Sequence, residues 1–315
     1  MDSYWYWTRL FFVFNGRRSS ASWEGADWEK FERWMLSKRY SFSSRKQARC
    51  ALNFNFKHVL RRDVGKLDLP NIPTPEKPLK IVPTREEIGR IFSGLVGMNR
   101  MKALLLYGSG PRIEEACRIR VHDVDLESAR LRIWDGKGGK NRVTVLPVFA
   151  LPMLRKMIAW RAALHEWDAA AGAGYVELPG RLAAKYRGAN RELGWQWLFC
   201  SSVRRGTHRW YAPQDDFSRA LRKAKIAAGI IKRITPHTLR HAFATHLQKA
   251  GATVETIRQL LGHARFETTL TYLHAEASEA FSPLDVPAAA LQSPYAIERR
   301  EALVLPSSEW IANVR

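Results

Sequence analysis

Cysteine is scarce. The chain of 315 residues has three, Cys50, Cys117 and Cys200, far apart and without Cys-x-x-Cys spacing. This excludes a disulfide framework and a cysteine-ligated metal, and leaves three small core residues in a reducing compartment. Long apolar runs are also missing. Nothing approaches the roughly 20 residues that span a bilayer, and residues 10–14 are too short an apolar stretch for a signal peptide. No carboxylate cluster falls at the motifs described below, which argues against two-metal hydrolysis. No Gly-Lys-Ser/Thr follows the glycine-rich turn at 108–110, so that turn is not a nucleotide-binding loop. Neither a metal nor a cofactor is called for.

Acidic residues are outnumbered, 30 against 51 Lys and Arg, for a formal charge of +21. That excess predicts a polyanionic partner, nucleic acid ahead of a membrane surface. The length suits two domains, each with its own core. Residues 1–70 read as wholly helical. Trp28, Phe31, Trp34 and Met35 lie at helical spacing after Asp27 or Ser22, either of which can cap. Ser43 or Ser44 is expected to cap a second helix, with Ala48, Ala51, Leu52 and Phe56 on its apolar face. Arg45, Lys46, Arg49, Lys57, Arg61 and Arg62 ring that helix and, as a group among aromatics, are expected to contact phosphate. Residues 71–83 are proline-rich, stiff and extended, and read as a linker.

A second domain is expected over 84–285, opening on a Thr84–Glu87 capping box. Tyr-Gly-Ser-Gly-Pro-Arg at 107–112 forms a tight turn that places Arg112 in the first turn of a helix. Glu115, three residues on, shares its face and is placed to hold it. Residues 129–147 read as a hairpin. Leu131, Ile133, Val143, Val145 and Leu146 are its apolar positions in an alternating pattern, and Gly-Lys-Gly-Gly-Lys its turn, carrying Lys137 and Lys140. Residues 169–197 look like an insertion of a helix and a strand. Residues 201–213 read as a basic loop, whose His208, Trp210 and Tyr211 suit stacking on unpaired bases. Asp215 or Asp216 is expected to cap the next helix. Thr235 and Pro236 then start a helix on which His237 and Arg240 share a face. A further helix ends at Gly262, just before His263, and Tyr272 follows nine residues later. Residues 286–315 read as a tail.

Taken together, these side chains have a definite chemistry. Two arginines can grip the non-bridging oxygens of a phosphodiester. A phenol can attack phosphorus and keep the ester energy in a covalent link. A lysine or histidine can protonate the leaving sugar oxygen.

The ordered set Gly-Ser-Gly-x-Arg-x-x-Glu, the lysine hairpin, His-x-x-Arg, Leu-Gly-His and a late tyrosine resembles the tyrosine recombinases of the phage-integrase superfamily. The resemblance covers residues 84–285. It implies Arg112, Lys137, His237, Arg240 and His263 as catalytic residues, Tyr272 as nucleophile and Glu115 in support. It implies a mainly α fold with a small β-sheet, in which a helical core-binding (SAM-like) domain and an α+β catalytic domain clamp DNA. It also implies a 3′-phosphotyrosyl intermediate without metal or ATP, and a homotetramer on DNA from monomers or weak oligomers. Such a protein would be cytoplasmic, bacterial and nucleoid-associated.

The stretches Asp-Gly-Lys-Gly-Gly-Lys-x-Arg at 135–142, Trp-Gln-Trp-Leu-Phe at 195–199 and Ser-Pro-Leu-Asp at 282–285 are more closely similar to integron integrases. That group recombines gene cassettes at folded single-stranded hairpins as well as duplex sites. By this resemblance Trp195 would stack on an extruded base, and Lys140, Arg142, His208, Trp210 and Tyr211 would contact DNA. Trp210 and Tyr211 stand where that group commonly has histidines. Two other readings are a recombinase acting on duplex only and a DNA-binding relative with weakened catalysis.

Overall fold

The structure is a computed structural model that describes residues 3–72, 82–136, 140–180 and 182–262. The chain forms two compact units, Met1–Lys80 and Ile81–Arg315. The division falls within the proline-rich stretch, of which residues 73–81 lie outside the described residues.

The first unit is helical: α1 (Ser3–Phe14), α2 (Gly25–Ser37), α3 (Phe42–Phe54) and a wide π-turn, Asn55–Val59. Aromatic rings fill its core. Phe11 sits at the centre, with Trp23, Phe31 and Phe56 edge-on at 4.9, 5.3 and 6.3 Å. Each such ring, taken out of water, contributes about 1.5–3 kcal/mol.

Both expected caps shift by a few residues. Glu24 precedes α2 and shares a capping box with Asp27, while Ser41 caps α3 by accepting from the Ser44 amide. The cation ring on α3 also divides. Arg45 is buried and Arg49 three-quarters covered, and both are paired with the fully buried Glu32, at 3.4 and 2.8 Å. Arg49 also donates to the Pro70 carbonyl. A buried carboxylate needs such partners, so these two arginines serve the fold rather than reaching phosphate as expected. Lys46, Lys57, Arg61 and Arg62 remain exposed.

The second unit begins with α4 (Arg85–Ser93), under the expected Thr84–Glu87 box, and α5 (Gly97–Gly108), whose residues 101–108 are all buried. After the turn at 109–111 comes the short α6 (Ile113–Cys117). A three-stranded antiparallel sheet follows, in the order β1 (Val124–Asp125), β2 (Arg130–Gly136) and β3 (Lys140–Val145). Its register corrects the expected facing of β3 at Val143, while Val145 and Leu146 are buried as expected. Leu131 and Ile133 are buried, and they lie opposite Thr144 and Arg142. Directly opposed residues share a face, so Thr144 and Arg142 turn inward and Val143, across from Arg132, is 53% exposed.

The long α7 (Leu151–Ala170) leads to the insertion. Its helix is only α8 (Leu182–Lys185), followed by two 3-10 turns. In place of a strand there are single bridges, Arg120 to Trp197 and Tyr175 to His208. The insertion packs a separate small core of Trp160, Leu164, Val176, Leu178, Ala189, Trp197 and Cys200. Buried arginines pin it. Arg120 donates to the Trp195 and Glu177 carbonyls at 2.6 and 2.8 Å, and Arg161 to the Trp197 carbonyl and Gln196 Oε1 at 3.1 and 2.8 Å. Arg209 forks onto Asp168 at 2.5 and 2.7 Å, both side chains fully buried.

The expected loop at 201–213 is instead a hairpin, β4 (Cys200–Arg205) and β5 (His208–Tyr211). Next comes α9 (Gln214–Ala227), preceded by Pro213 rather than capped by either aspartate. The unit's described part closes with α10 (Pro236–Lys249), capped by Thr235, and α11 (Val254–Leu261), capped by Thr253 and ended by Gly262 at φ 64°. Leu239, Ala242, Phe243 and Leu247 of α10 are buried in the main core with α5. Cys117 and Cys200 are buried as expected; Cys50 is exposed, against expectation. Among the described residues no helix is long and apolar enough to cross a membrane.

Candidate active site

The backbone first brings the site together. Gly110 has φ 68°, and a Cβ there would meet the Phe243 ring at 2.6 Å and Leu261 at 2.9 Å. Only glycine lets the turn after α5 press against α10 and α11 so closely. The turn hands the chain to Arg112, which is the N-cap of α6 and not, as expected, within its first turn.

Around Glu115 the unit gathers three guanidinium groups. Arg112 Nη1 donates to Oε1 at 2.7 Å, and its backbone amide donates to Oε2 at 2.7 Å. Arg142 forks onto both oxygens, at 3.0 and 2.5 Å. Arg240 Nη1 stands 3.8 Å from Oε2, while its guanidinium donates to the carbonyls of Gly110 and of Leu261, the latter at 2.7 Å. The Glu115 side chain is 7% exposed. Burial alone would raise its pKa, but the Arg142 bonds and charge, with Arg112, bring it down to about 2. Arg240 is pushed down to about 9 by burial and by the charges of Arg112 and Arg142, so it stays cationic at neutral pH.

One carboxylate among three arginines leaves two formal positive charges in a partly covered pocket. Charge-assisted bonds to a phosphodiester are strong in such surroundings. Arg112 is the arginine on the rim, its side chain 28% exposed. Its Nε and Nη2 make no hydrogen bond among the described residues. His237, the second residue of α10, is exposed. Lys137, His263 and Tyr272 lie outside the described residues, as do residues 286–315 and the Lys140 side chain. Among the described residues no group of three or more His, Cys, Asp or Glu is placed to hold a metal ion.

Of the residues expected at DNA, Arg142 is turned inward onto Glu115, its side chain 8% exposed. That is a correction forced by the β3 register. The aromatic candidates are half-buried and engaged within the protein. Trp195 stands edge-on to His122 at 4.5 Å, with the Arg120 guanidinium 5.5 Å from its ring. Tyr211 packs on Trp197 at 5.3 Å, and His208 lies beside Tyr175 at 5.8 Å. Trp210 is half-buried.

Sequence reasoning passed over His122 and Asp123. His122 Nε2 reaches Asp123 Oδ1 at 3.1 Å, and Trp134 Nε1 of β2 donates to the same oxygen at 2.6 Å. A chain of contacts thus runs from Trp195 in the insertion to the hairpin that bears Lys137. Only the nearness of a histidine and an aspartate in sequence hinted at it.

The Phage integrase family profile matches residues 82–279, and the profile of the phage integrase N-terminal SAM-like domain matches residues 1–66. An integrase/recombinase of Escherichia coli is 37% identical over 294 residues, covering 90% of this chain and 87% of that protein. Tyrosine recombinase XerA of Thermococcus onnurineus is 32% identical over 213 residues, 67% of this chain and 62% of that one. Among solved structures, XerH site-specific recombinase bound to palindromic difH substrate superposes with a TM-score of 0.58 at 19% identity, covering 86% of this chain and 72% of that one. The Tn1549 transposon integrase in complex with transposon right end DNA gives 0.58 at 19%, covering 82% and 84%. At that identity these two structures speak for the fold alone.

Proposed function

Because the chain belongs to the phage integrase family, the tyrosine recombinases, and is thus a DNA recombinase, we propose that it cuts and rejoins its sites through a 3′-phosphotyrosyl intermediate formed on Tyr272. The observation that carries this reading is the cluster of Arg112, Arg142 and Arg240 on Glu115, with Arg112 on its rim. Two net positive charges stabilise the extra negative charge of a pentacoordinate phosphorus more than they stabilise the ground-state diester. In the cleavage step the Tyr272 hydroxyl releases its proton to water, its oxygen bonds to phosphorus and the bond to the 5′ oxygen breaks. Lys137 donates the proton that the leaving alkoxide needs. His237 and His263 hydrogen-bond the non-bridging oxygens. Rejoining is the same step run backwards by an incoming 5′ hydroxyl. No metal or nucleotide takes part.

The substrate reading is an integron-type one: gene cassettes exchanged at folded single-stranded hairpins and at duplex sites, by four copies assembled on DNA. Support comes from the insertion, which has its own core and exposes part of Trp195 on one of its turns. A second reading, action on duplex alone, is favoured by the similarity to XerA.

The deciding experiment offers the full chain two random-core libraries, one of duplexes and one of folded single-stranded hairpins. DNA retained as a covalent adduct is then recovered. Enrichment of hairpins with unpaired bases supports the cassette reading. Adducts from duplex alone overturn it in favour of the second.

A further inference from the structure

Arg142 has no part in the cleavage step above, yet it touches more of the site than any expectation gave it. Its Nη1 and Nη2 hold both oxygens of Glu115, and its Nε donates to the Leu260 carbonyl at 2.9 Å. That carbonyl belongs to the last turn of α11, where helix carbonyls lack partners and the dipole favours a cation. The close approach depends on Gly262. A Cβ at that position would come within 2.7 Å of Arg142 Cδ, and the backbone there is left-handed.

The charge balance poses a problem that Arg142 answers. Glu115 orients Arg112, but a buried carboxylate beside a phosphodiester repels it, and repels a doubly charged transition state more. The charged side chains facing Glu115 among the described residues are Arg112 from the turn before α6, Arg142 from β3 and Arg240 from α10. Remove Arg142, and the carboxylate draws on the two arginines meant for phosphate. Arg142 also joins three pieces of chain: the paired strands β2 and β3, between which Lys137 falls in sequence, the Arg112–Glu115 segment, and the end of α11, which His263 follows in sequence.

We propose that Arg142 is a positioning residue for DNA cleavage, cancelling the charge of Glu115 so that Arg112 and Arg240 serve the phosphodiester and tying the lysine hairpin to the end of α11. This rests on the cleavage reading above.

The test compares the full-length chain with R142M, R142K and the double variant R142M/E115Q, on DNA recovered as adduct from the libraries. R142M should slow single-turnover adduct formation about 100-fold while DNA affinity stays within about threefold, as for a contact that matters in the transition state. R142M/E115Q removes the carboxylate as well and returns the site to two net positive charges, so it should cleave about 10-fold faster than R142M. A merely structural role predicts no such rescue. R142K keeps the cation without the fork and should fall between R142M and the parent. The proposal is overturned if R142M cleaves at the parent rate, or if a folded double variant with unchanged DNA affinity is no faster than R142M. Should R142M not fold, R142K decides: a rate within about threefold of the parent overturns the proposal.

A parent chain that forms no adduct counts against the cleavage reading instead. The pH dependence of the thermal midpoint, which needs no DNA, then reports on Arg142 alone. In R142K the folded pKa of Glu115 should rise from about 2 toward 4.5, so the stability lost on acidification below pH 4.5 should be smaller than in the parent, and an unchanged acid limb overturns the proposal.

Discussion

The Tyr107 hydroxyl and His246 Nδ1 lie 2.8 Å apart in the buried seam between α5 and α10, the two helices that carry the Gly-Ser-Gly turn and Arg240. Burial, with the nearby charges of Arg85 and Lys249, lowers the His246 pKa from 6.5 to about 4. The imidazole is therefore neutral when folded and takes up a proton on unfolding at any pH between those values. Stability from this group is complete above pH 6.5 and is lost as pH falls toward 4, by roughly 3 kcal/mol in all. His165, also lowered by burial, adds to the same trend. Urea unfolding across this pH range should show the slope, and H246N should flatten most of it. Y107F, which leaves a buried ring nitrogen unpaired, should cost about 1–3 kcal/mol at pH 7.

Tyr272→Phe should bind DNA with the parent's affinity and form no covalent adduct, as judged by denaturing gel after incubation with recovered substrate. An adduct that persists would mean another nucleophile. Cleavage by the parent should survive EDTA.

On α3 two neighbouring cations should behave oppositely. Arg45→Ala removes one of the two partners of buried Glu32 and should cost about 1–3 kcal/mol of stability by urea titration. Lys46→Ala, exposed on the same helix, should leave stability within about 0.5 kcal/mol. It should weaken DNA binding and lower the slope of log affinity against log salt by about 1. A salt slope unchanged by Lys46→Ala would remove that residue from the DNA contact.

Asp168→Ala strands Arg209, whose guanidinium is fully buried and, among the described residues, otherwise reaches only the Ser201 and Ser202 carbonyls. Breaking such a pair from one side costs about 3–5 kcal/mol. The loss should appear in thermal unfolding, with the tryptophan-rich insertion loosening first in hydrogen exchange. Equal protection of insertion and core in the variant would contradict the separate packing.

What could be read from the sequence was what neighbours in the chain decide. The box of Thr84 with Glu87, the helix start at Thr235 and Pro236, the stop at Gly262, and the close spacing of Arg112 with Glu115 are all set within a few residues. What could not be read depends on distant partners. The facing of β3 follows from its pairing with β2: Val145 is buried as the alternation suggested, but Val143 is exposed while Arg142 and Thr144 lie opposite the buried Ile133 and Leu131. The hairpin at 200–211 is held by pairing and by Arg209 on Asp168, 41 residues away, so its strands read as a loop. Arg45 and Arg142 looked like surface cations because their acids, Glu32 and Glu115, lie 13 and 27 residues earlier in the chain. Periodicity says that a cation is present, not that a buried carboxylate is waiting for it.

The insertion buries Val176, Leu178 and Ala189 against Trp197 and one side of α7, apart from the cluster that contains Leu104 and Phe243. The two clusters meet at Met98 and along α7, which supplies Leu154 and Met157 to one and Trp160 and Leu164 to the other. Apart from those shared contacts, most of the insertion's core can change while the Arg112, Arg142 and Arg240 cluster on Glu115 stays as it is. The same partition offers a graft point: a homologous insertion, transplanted with its matching arginines, should change site preference in a single step.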